Sequence, residues 1–264
     1  MNLSVLISCM HQKDKSIIQR SNIQTDAIVI NQCDNDSIEN YAFKNNKNVE
    51  CNVSFINTTE RGLSRSRNMA IRYATDADIC LICDDDEYLM NDYEDIILSA
   101  YAENPKANLI AFSLIRKDVE KKYPIEKKIL KFKQILKTSS VQITFKLKPL
   151  NKHGISFDEE MGSGTGNGGG EENKFLLDCK RKKIEMFYFP YVIATINPGQ
   201  SQWFYGYTNE YFKAKGWSAR RIFGGFTIII YIFYFTLTHR NLYKNECTYR
   251  AAVFNMSKGW KSKR

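Results

Sequence analysis

Several common classes of protein are excluded by what this sequence lacks. The N-terminus has no charged flank and cleavage site of a signal peptide, and the seven cysteines are an odd number scattered through apolar segments. The sequence also has no zinc-finger spacing, no RNP-like aromatic motif and no basic zipper. We therefore expect a cytoplasmic protein with reduced thiols that does not bind nucleic acid.

The charge of the chain indicates an anionic partner. Lysine and arginine exceed aspartate and glutamate by 38 to 29, which gives a formal net charge of +9. A nucleotide, a phosphorylated acceptor and an acidic membrane surface all fit this excess, and charge alone does not choose among them. The length of 264 residues and the hydrophobic fraction of 43% suit one sizeable α/β domain with an appendage.

Short apolar runs alternate with amphipathic stretches along the first half of the chain. This alternation predicts βαβ units around a mixed, mostly parallel sheet flanked by helices. The predicted strands are 2–9, 26–32, 51–56, 78–83, 107–115, 139–145 and 183–195, and the predicted helices are 64–74, 91–103 and 171–181. A lysine-rich stretch, 116–137, predicts a solvated helix or an insertion that faces the partner, or else a plain solubilising surface.

Beyond residue 200 the sequence becomes aromatic and basic, which predicts a separate C-terminal appendage over 200–264. Its apolar run, 222–237, is shorter than the roughly 20 residues that span a bilayer, and arginines flank it on both sides. Interfacial attachment to a membrane fits this pattern. The alternative is a core helix that packs on the main domain or on a second copy of the chain.

Three consecutive aspartates, Asp84, Asp85 and Asp86, follow the apolar run that ends at Cys83. Open α/β sheets place their ligands at the carboxyl ends of strands, and adjacent carboxylates repel one another unless a cation or hydrogen-bond donors compensate. Their hard oxygens suit Mg²⁺ or Mn²⁺. The sequence therefore predicts a metal site here, with an acidic turn or a helix cap as the alternative.

Guanidinium groups and hydroxyls gather where the predicted helix 64–74 begins. Arg61, Gly62, Ser64 and Arg67 occupy what is expected to be a helix N-terminus, which favours anions. Arg67 is the candidate anion ligand. The alternative is that these residues are surface arginines and helix caps.

A glycine-dense segment, 164–169, formally matches the dinucleotide pattern G-x-G-x-x-G. We reject that interpretation because no clear strand leads into it, and because Glu171 and Glu172 open the next helix where a pyrophosphate would need positive potential. The glycines instead predict a mobile or closely approached loop that delivers two carboxylates to a reacting centre. Either glutamate could serve as a general base, or both could be ordinary acidic residues of a first helical turn.

Cys80 and Cys83 form a C-x-x-C pattern inside an apolar run. Strand alternation would point them to opposite faces of the sheet. We therefore interpret them as buried structural thiols rather than as a zinc or redox site.

Four motifs in order resemble family 2 glycosyltransferases of the GT-A fold. They are SVLIS at 4–8, GLSRSRN at 62–68, DDD at 84–86 and GGEEN at 169–173. The resemblance covers about residues 2–197 and implies a catalytic domain over 1–199. Its nucleotide-sugar-binding half would be 1–115 and its acceptor-side half 116–199.

The resemblance also implies roles for individual residues. The family pattern D-x-D falls on Asp84 and Asp86, with Asp86 in direct contact with Mn²⁺ or Mg²⁺ and Asp85 in the variable place. The family's E-D pair appears as Glu171 and Glu172, with Glu172 as the catalytic base and Glu171 orienting the acceptor. The implied nucleotide-sugar-binding residues are Ser8, His11, Asp34, Arg61, Arg67, Asp84 and Asp85.

The function implied is metal-dependent transfer of a sugar, with inversion, from a nucleotide-diphosphate donor such as a UDP-sugar. The acceptor would be a glycan or a polyprenyl-diphosphate-linked glycan in cell-surface polysaccharide synthesis, at the inner face of the membrane. A non-catalytic GT-A-like scaffold or binding protein is the alternative. Homodimerisation of the chain stays open in either case. A sugar nucleotidyltransferase is a weaker one, because the loop after the first strand lacks the glycine richness that such enzymes need.

Overall fold

The computed structural model describes residues 1–117, 122–196 and 206–262. Its strands are β1 (Leu3–Met10), β2 (Asp26–Gln32), β3 (Ser37–Lys44), β4 (Glu50–Thr58), β5 (Ile79–Asp84), β6 (Glu87–Leu89), β7 (Leu109–Arg116), β8 (Lys128–Ile129), β9 (Ile143–Lys146) and β10 (Met186–Ile196). Its helices are α1 (Ile17–Arg20), α2 (Leu63–Tyr73), α3 (Tyr93–Glu103), α4 (Phe132–Ile135), α5 (Leu147–Lys152), α6 (Glu171–Arg181), α7 (Asn209–Phe223), α8 (Thr227–Thr238), α9 (Arg240–Tyr243) and α10 (Tyr249–Lys261).

The strands join in one mixed sheet with the order β3-β4-β2-β1-β5-β9-β7-β10-β6, and β8 pairs with β10. The central strands β4, β2, β1 and β5 run parallel. Their carboxyl ends therefore meet at one edge, and Ser8 of β1 lies beside Asp84 of β5 in the register. This edge is where an open α/β sheet binds its ligands.

Alternating side chains of the central strands pack into two apolar cores, one on each face of the sheet. On β1, Leu6 belongs to one core while Val5 and Ile7 belong to the other. Cys80 and Cys83 divide in the same way, are both buried, and are free thiols. The sequence interpretation of the C-x-x-C pattern is thus confirmed.

The elements of the sheet match the predictions closely where apolar periodicity was strong. The predicted strand 26–32 and helix 171–181 have the bounds of β2 and α6. The predicted strand 139–145 is wrong over its first half, because residues Ser140–Gln142 form a 3-10 turn before β9 begins. Of the stretch 116–137, residues 118–121 lie outside the described residues, and the rest holds only the short β8 and α4 rather than a long solvated helix.

The C-terminal helices pack on the sheet domain rather than standing apart from it. Trp217 and Ile222 of α7 are buried in the same core as Leu6, while Phe212, Ile232 and Met256 join α7, α8 and α10 in a core of their own. The predicted domain boundary at 199/200 lies outside the described residues, so the division stays a prediction. Among the described helices, none is long and apolar enough to cross a membrane.

Candidate active site

The three aspartates lie where β5 ends and turns into β6. Asp84 closes β5 and is half-buried, Asp85 and Asp86 are exposed in the turn, and Glu87 opens β6 with its side chain buried. One Glu87 oxygen accepts from the Asp84 N–H at 3.0 Å, whereas Oε2 is buried without a hydrogen-bond partner. Four acidic side chains in a row thus crowd the ligand-binding edge of the sheet.

This crowding disfavours ionisation of Asp85, Asp86 and Glu87. Partial desolvation by the surrounding protein raises the pKa of Asp85 and of Asp86, although both remain exposed, and the charge of Asp84 raises both further. Burial raises the pKa of Glu87 well above its usual range, again with a contribution from Asp84. A positive charge brought to this turn would relieve the repulsion.

Arg67 already supplies one such charge and links the two acidic motifs. Its side chain is 2% exposed, and Nη2 donates to both oxygens of Asp84 at 3.0 and 3.1 Å and to the Ser140 hydroxyl at 2.8 Å. Nη1 contacts Glu171 at 3.3 Å, across 104 residues of sequence. Burial by itself would lower the pKa of Arg67, but the charges of Asp84 and Glu171 raise it above its ordinary value.

The structure gives Arg67 partners within the protein, and its predicted contact with a nucleotide-sugar donor stays a prediction. We expected its guanidinium to contact a diphosphate, but the group is buried and faces two carboxylates and a hydroxyl. In the same way Asp84, predicted as a metal ligand, has both oxygens engaged by Arg67. Arg67 therefore links Asp84 at the end of β5 to Glu171 at the start of α6 from the core.

Glu171 and Glu172 begin α6 after the glycine-rich loop. Glu171 is buried and its Oε2 also accepts from the N–H of Gly170 at 3.0 Å. Glu172 is half-buried, and exclusion from solvent together with the charge of Glu171 raises its pKa to about 7, against the opposing charges of Arg67 and Lys215. A carboxyl group with that pKa can exchange a proton near neutral pH.

Polar side chains at the start of α2 fasten the segment that leads into the loop. The Ser64 hydroxyl donates to the Met161 carbonyl at 2.8 Å. Asn68 donates to the Phe157 carbonyl at 2.9 Å and accepts from the Phe157 N–H at 2.8 Å. The motif at 62–68 thus acts from the interior of the molecule, where it fixes the segment from Phe157 to Met161.

The glycine-rich loop itself rests on helix α7. A Cβ at Gly168 would lie 2.1 Å from Ser218 Oγ and 2.6 Å from the Ala214 carbonyl oxygen, and a Cβ at Gly170 would lie 3.0 Å from Ile222 Cδ1. Ala214, Ser218 and Ile222 are spaced by four residues and so share one face of the helix. Only glycine lets the loop lie this close, which confirms the prediction of a closely approached loop.

Two arginines link α7 to the segment before the loop and to α6. Arg221 of α7 binds both oxygens of Asp158 at 2.7 and 2.8 Å, and Arg181 of α6 donates to the Ile222 carbonyl at 2.6 Å. Lys215 of α7 lies within electrostatic range of Glu172, and its pKa is lowered by burial while the charge of Glu172 opposes that shift. The C-terminal helices therefore contribute to the site.

The remaining predicted nucleotide-binding residues line the same edge of the sheet in different settings. Ser8 is buried and accepts from the Ser66 hydroxyl at 2.9 Å. His11 is exposed just after β1, with a left-handed backbone at φ 50°. Exposed Asp34 pairs with Arg61 at 2.7 Å after β2, and Asp85 accepts from the Gln12 amide at 3.3 Å. Their roles in binding stay predictions.

A divalent cation fits this edge, provided that a second molecule shares in holding it. Among the described residues, no group of three or more His, Cys, Asp or Glu side chains is arranged to hold an ion. Asp86 nevertheless offers an exposed carboxylate, and its pKa is raised by partial desolvation and by the charges of Asp84 and Asp85. Mg²⁺ or Mn²⁺ is commonly held in this way, by one or two carboxylates and the phosphates of a substrate.

Comparison with known proteins confirms the family and the fold. The sequence profile of glycosyl transferase family 2 matches residues 15–160, more than half of the chain. The chain therefore belongs to glycosyl transferase family 2. The match ends before Glu171, so it does not bear on Glu171 and Glu172. No curated protein sequence matches the chain.

Solved structures of TarS from S. aureus share the GT-A fold. The chain is 14% identical to TarS 1–349 in complex with UDP-GlcNAc, with a TM-score of 0.61 over 93% of this chain and 74% of that one. The complex of TarS 1–349 with UDP is 11% identical, with a TM-score of 0.62 over 99% of this chain and 81% of that one. TarS 1–349 without a named ligand is 13% identical, with a TM-score of 0.56 over 86% of this chain and 66% of that one. The chain spans 40% of a longer TarS structure.

Sequence reasoning missed three contributors to the site. Glu87 and Ser140 carried no motif signal, and Lys215 lay in a segment interpreted as an appendage. The one clue in the sequence was the position of Glu87, which directly follows the three aspartates and extends the same acidic cluster.

Proposed function

We propose that this protein transfers a sugar from a nucleotide-diphosphate donor, a UDP-sugar, to a hydroxyl of a glycan or lipid-linked glycan, with inversion at the anomeric carbon. Membership of family 2 supports the reaction class, and the UDP complexes of structural neighbours support the donor. The observation that carries the proposal is Arg67, which joins the end of β5 to the start of α6. Asp84 and Glu171, the proposed donor-side and acceptor-side carboxylates, therefore share one guanidinium group.

In the proposed reaction Glu172 is the general base. It takes the proton of the acceptor hydroxyl, the acceptor oxygen bonds to the anomeric carbon, and the bond from that carbon to the diphosphate oxygen breaks. The nucleoside diphosphate leaves with the electron pair. A pKa near neutrality leaves Glu172 able to accept the proton and later release it to solvent. Glu171, held by Arg67 and Gly170, fixes the start of α6 that presents Glu172 and orients the acceptor.

Asp86 is the residue proposed to hold Mn²⁺ or Mg²⁺, together with the donor diphosphate. When bound, the cation would neutralise the charge that develops on the leaving diphosphate. Asp85 and the residues Ser8, His11, Asp34 and Arg61 are proposed to line the donor pocket. With Asp84 committed to Arg67, its part is to keep the turn in place beside the donor.

The proposed setting is cell-surface polysaccharide synthesis at the inner face of the cell membrane, on an acceptor carried by a lipid. The basic character of the chain and the exposed apolar side chains of α8 support that setting. The test of the donor site does not depend on it.

Calorimetric titration with UDP tests the donor site directly. We expect binding that requires Mn²⁺ and is lost in Asp86→Ala. Asp92→Ala is the matched control, because it removes an equally exposed carboxylate six residues further along and leaves the turn intact. Binding that persists in Asp86→Ala with its metal dependence unchanged would reject the metal role. Tight UDP binding by the wild type without turnover of any UDP-sugar, alone or with acceptor, would favour the non-catalytic scaffold.

A further inference from the structure

In the part of the chain that the structure describes, helix α8 presents an apolar row to solvent. Phe226, Ile230, Phe233, Tyr234 and Leu237 follow helical spacing and are exposed by 85, 71, 48, 60 and 58%. The opposite side of the helix, with Ile228, Ile232 and Phe235, is buried in the C-terminal core. A contiguous exposed row of this kind on a folded helix marks an interaction surface. We call it the α8 face.

The α8 face suits the plane of a membrane interface rather than a span. Twelve residues of helix reach about 18 Å, whereas the hydrocarbon core of a bilayer is about 30 Å thick. Phenylalanine, isoleucine and leucine can enter the acyl boundary from one side, while Tyr234 suits the headgroup level. The buried side of α8 stays packed on the protein in such a pose.

The positive charge of the chain is concentrated in the segment that carries this face. Residues 211–264 hold eleven lysines and arginines and a single acidic residue, Glu246, so they carry +10, while residues 1–210 carry −1. Arg240 and Lys244 are exposed directly after α8, and Lys258 lies 5.7 Å from the ring of Phe254, which is itself 63% exposed on α10. Apolar and cationic groups are therefore neighbours on the C-terminal helices.

We propose that the α8 face docks on a bilayer that contains anionic lipids, with Arg240, Lys244 and Lys258 contacting the headgroup phosphates. Docking would bring the site to an acceptor carried on a lipid, and only this role of the docking rests on the proposed function. A second copy of the chain is a poorer occupant, because a two-fold pairing of this face would bring two segments of +10 together.

Vesicle flotation with the full chain tests the docking. We expect binding to vesicles of phosphatidylcholine with phosphatidylglycerol, at least tenfold weaker binding to phosphatidylcholine alone, and weakening by salt. The double variant Phe226→Ser, Ile230→Ser should lose at least tenfold in partitioning. Its control is Ile38→Ser, Ile125→Ser, which removes two apolar side chains exposed by 55 and 89% elsewhere.

A charge-reversal pair separates the cationic contribution. Arg240→Glu, Lys244→Glu should abolish the preference for anionic vesicles, whereas Lys148→Glu, Lys152→Glu, an equally exposed pair at the same spacing on α5, should not. Equal binding of the two charge-reversal variants, or of the two serine variants, would overturn the proposal. The proposal would also be overturned if the wild type formed a concentration-dependent dimer and did not bind vesicles, and if the double serine variant of α8 abolished that dimer.

Titration with UDP on the same proteins keeps this inference apart from the proposed function. The α8 variants should bind UDP like the wild type, which also shows that they are folded. A wild type that binds vesicles but no nucleotide would sink the proposed function and leave the docking standing. A wild type that binds UDP but no vesicles would do the reverse.

Discussion

The charge of Arg67 is compensated entirely inside the protein. Removing one partner of a buried ion pair leaves the other charge without compensation, at a cost of about 3–5 kcal/mol. We therefore expect Arg67→Met to lower the free energy of unfolding by about that amount, measured by urea denaturation, because both Asp84 and Glu171 lose their counter-charge. Donor turnover should fall as well, since both acidic motifs depend on this residue.

Arg65 provides the control for this prediction on the same helix. It is half-exposed and its nearest carboxylate, on Glu159, is 3.9 Å away. Exposed pairs of this kind contribute below about 1 kcal/mol, so Arg65→Met should be nearly neutral. If Arg67→Met and Arg65→Met destabilised the protein equally, the core position assigned to Arg67 would be wrong.

The proposed base predicts how the rate depends on pH. Glu172 accepts a proton only when it is deprotonated, and its pKa is raised to about 7. Consequently kcat/KM should fall as pH drops below about 7 and level off above it. Glu172→Gln should lose about 10²- to 10⁴-fold in rate and the pH limb with it, whereas Glu185→Gln, an exposed glutamate beyond α6, should keep both.

Lys215 provides a second test of the same decrease in kcat/KM at low pH. Its positive charge lowers the pKa of Glu172, so Lys215→Met should move the limb to higher pH, while Lys213→Met should leave it in place. A limb that does not move would mean that Lys215 acts on packing alone.

At the scale of elements, the approach of the glycine-rich loop to α7 predicts a contrast between neighbouring glycines. Gly168→Ala would drive a Cβ into Ser218 Oγ and the Ala214 carbonyl, so the loop must lift and carry Glu171 and Glu172 away. Gly169→Ala meets nothing nearer than Glu171 Oε2 at 3.8 Å. We expect at least a tenfold loss of kcat in the first variant and little change in the second, with UDP binding intact in both.

A double variant refines that contrast. Ser218→Ala combined with Gly168→Ala should recover only part of the activity, because the Ala214 carbonyl oxygen still lies 2.6 Å from the added Cβ. Equal activity of Gly168→Ala and Gly169→Ala would show that α7 does not position the loop.

Elements with strong apolar periodicity could be read from the sequence, and elements defined by partners could not. The bounds of β2 and α6 were predicted correctly, since each is a run of core residues. The edge strand β3 was missed because its residues are mostly exposed and polar, and it exists through antiparallel pairing with β4. The three-residue β6 exists in the same way through β10.

The candidate site divides along the same line. The order of the motifs located Asp84, Asp86, Glu171 and Glu172, because each sits where a strand ends or a helix begins. The inward direction of Arg67 could not be predicted, since its two carboxylate partners lie 17 and 104 residues away in sequence. Arginine in a motif of this type suggests an anionic ligand, and only the fold shows that the anions belong to the protein itself.

For the whole molecule, the packing of α7 argues that the C-terminal helices and the sheet unfold together. Trp217 and Ile222 are buried in a sheet core. Arg221 ties α7 to Asp158, which precedes the glycine-rich loop, and Arg181 ties α6 to α7. The other helices of the segment share a core with α7. A ligand that stabilises the N-terminal half should therefore stabilise the C-terminal helices to the same extent.

The distribution of tryptophan makes this coupling measurable. All three tryptophans lie beyond residue 200, whereas the proposed donor site lies at the end of β1, β2 and β5. UDP with Mn²⁺ at 100 times its Kd should stabilise the fold by about 2.7 kcal/mol, and tryptophan fluorescence should report the same rise in Tm as circular dichroism of the whole chain. If the C-terminal helices unfolded independently, UDP would not change the Tm measured by tryptophan fluorescence. In that case α7 could not fix the position of the glycine-rich loop.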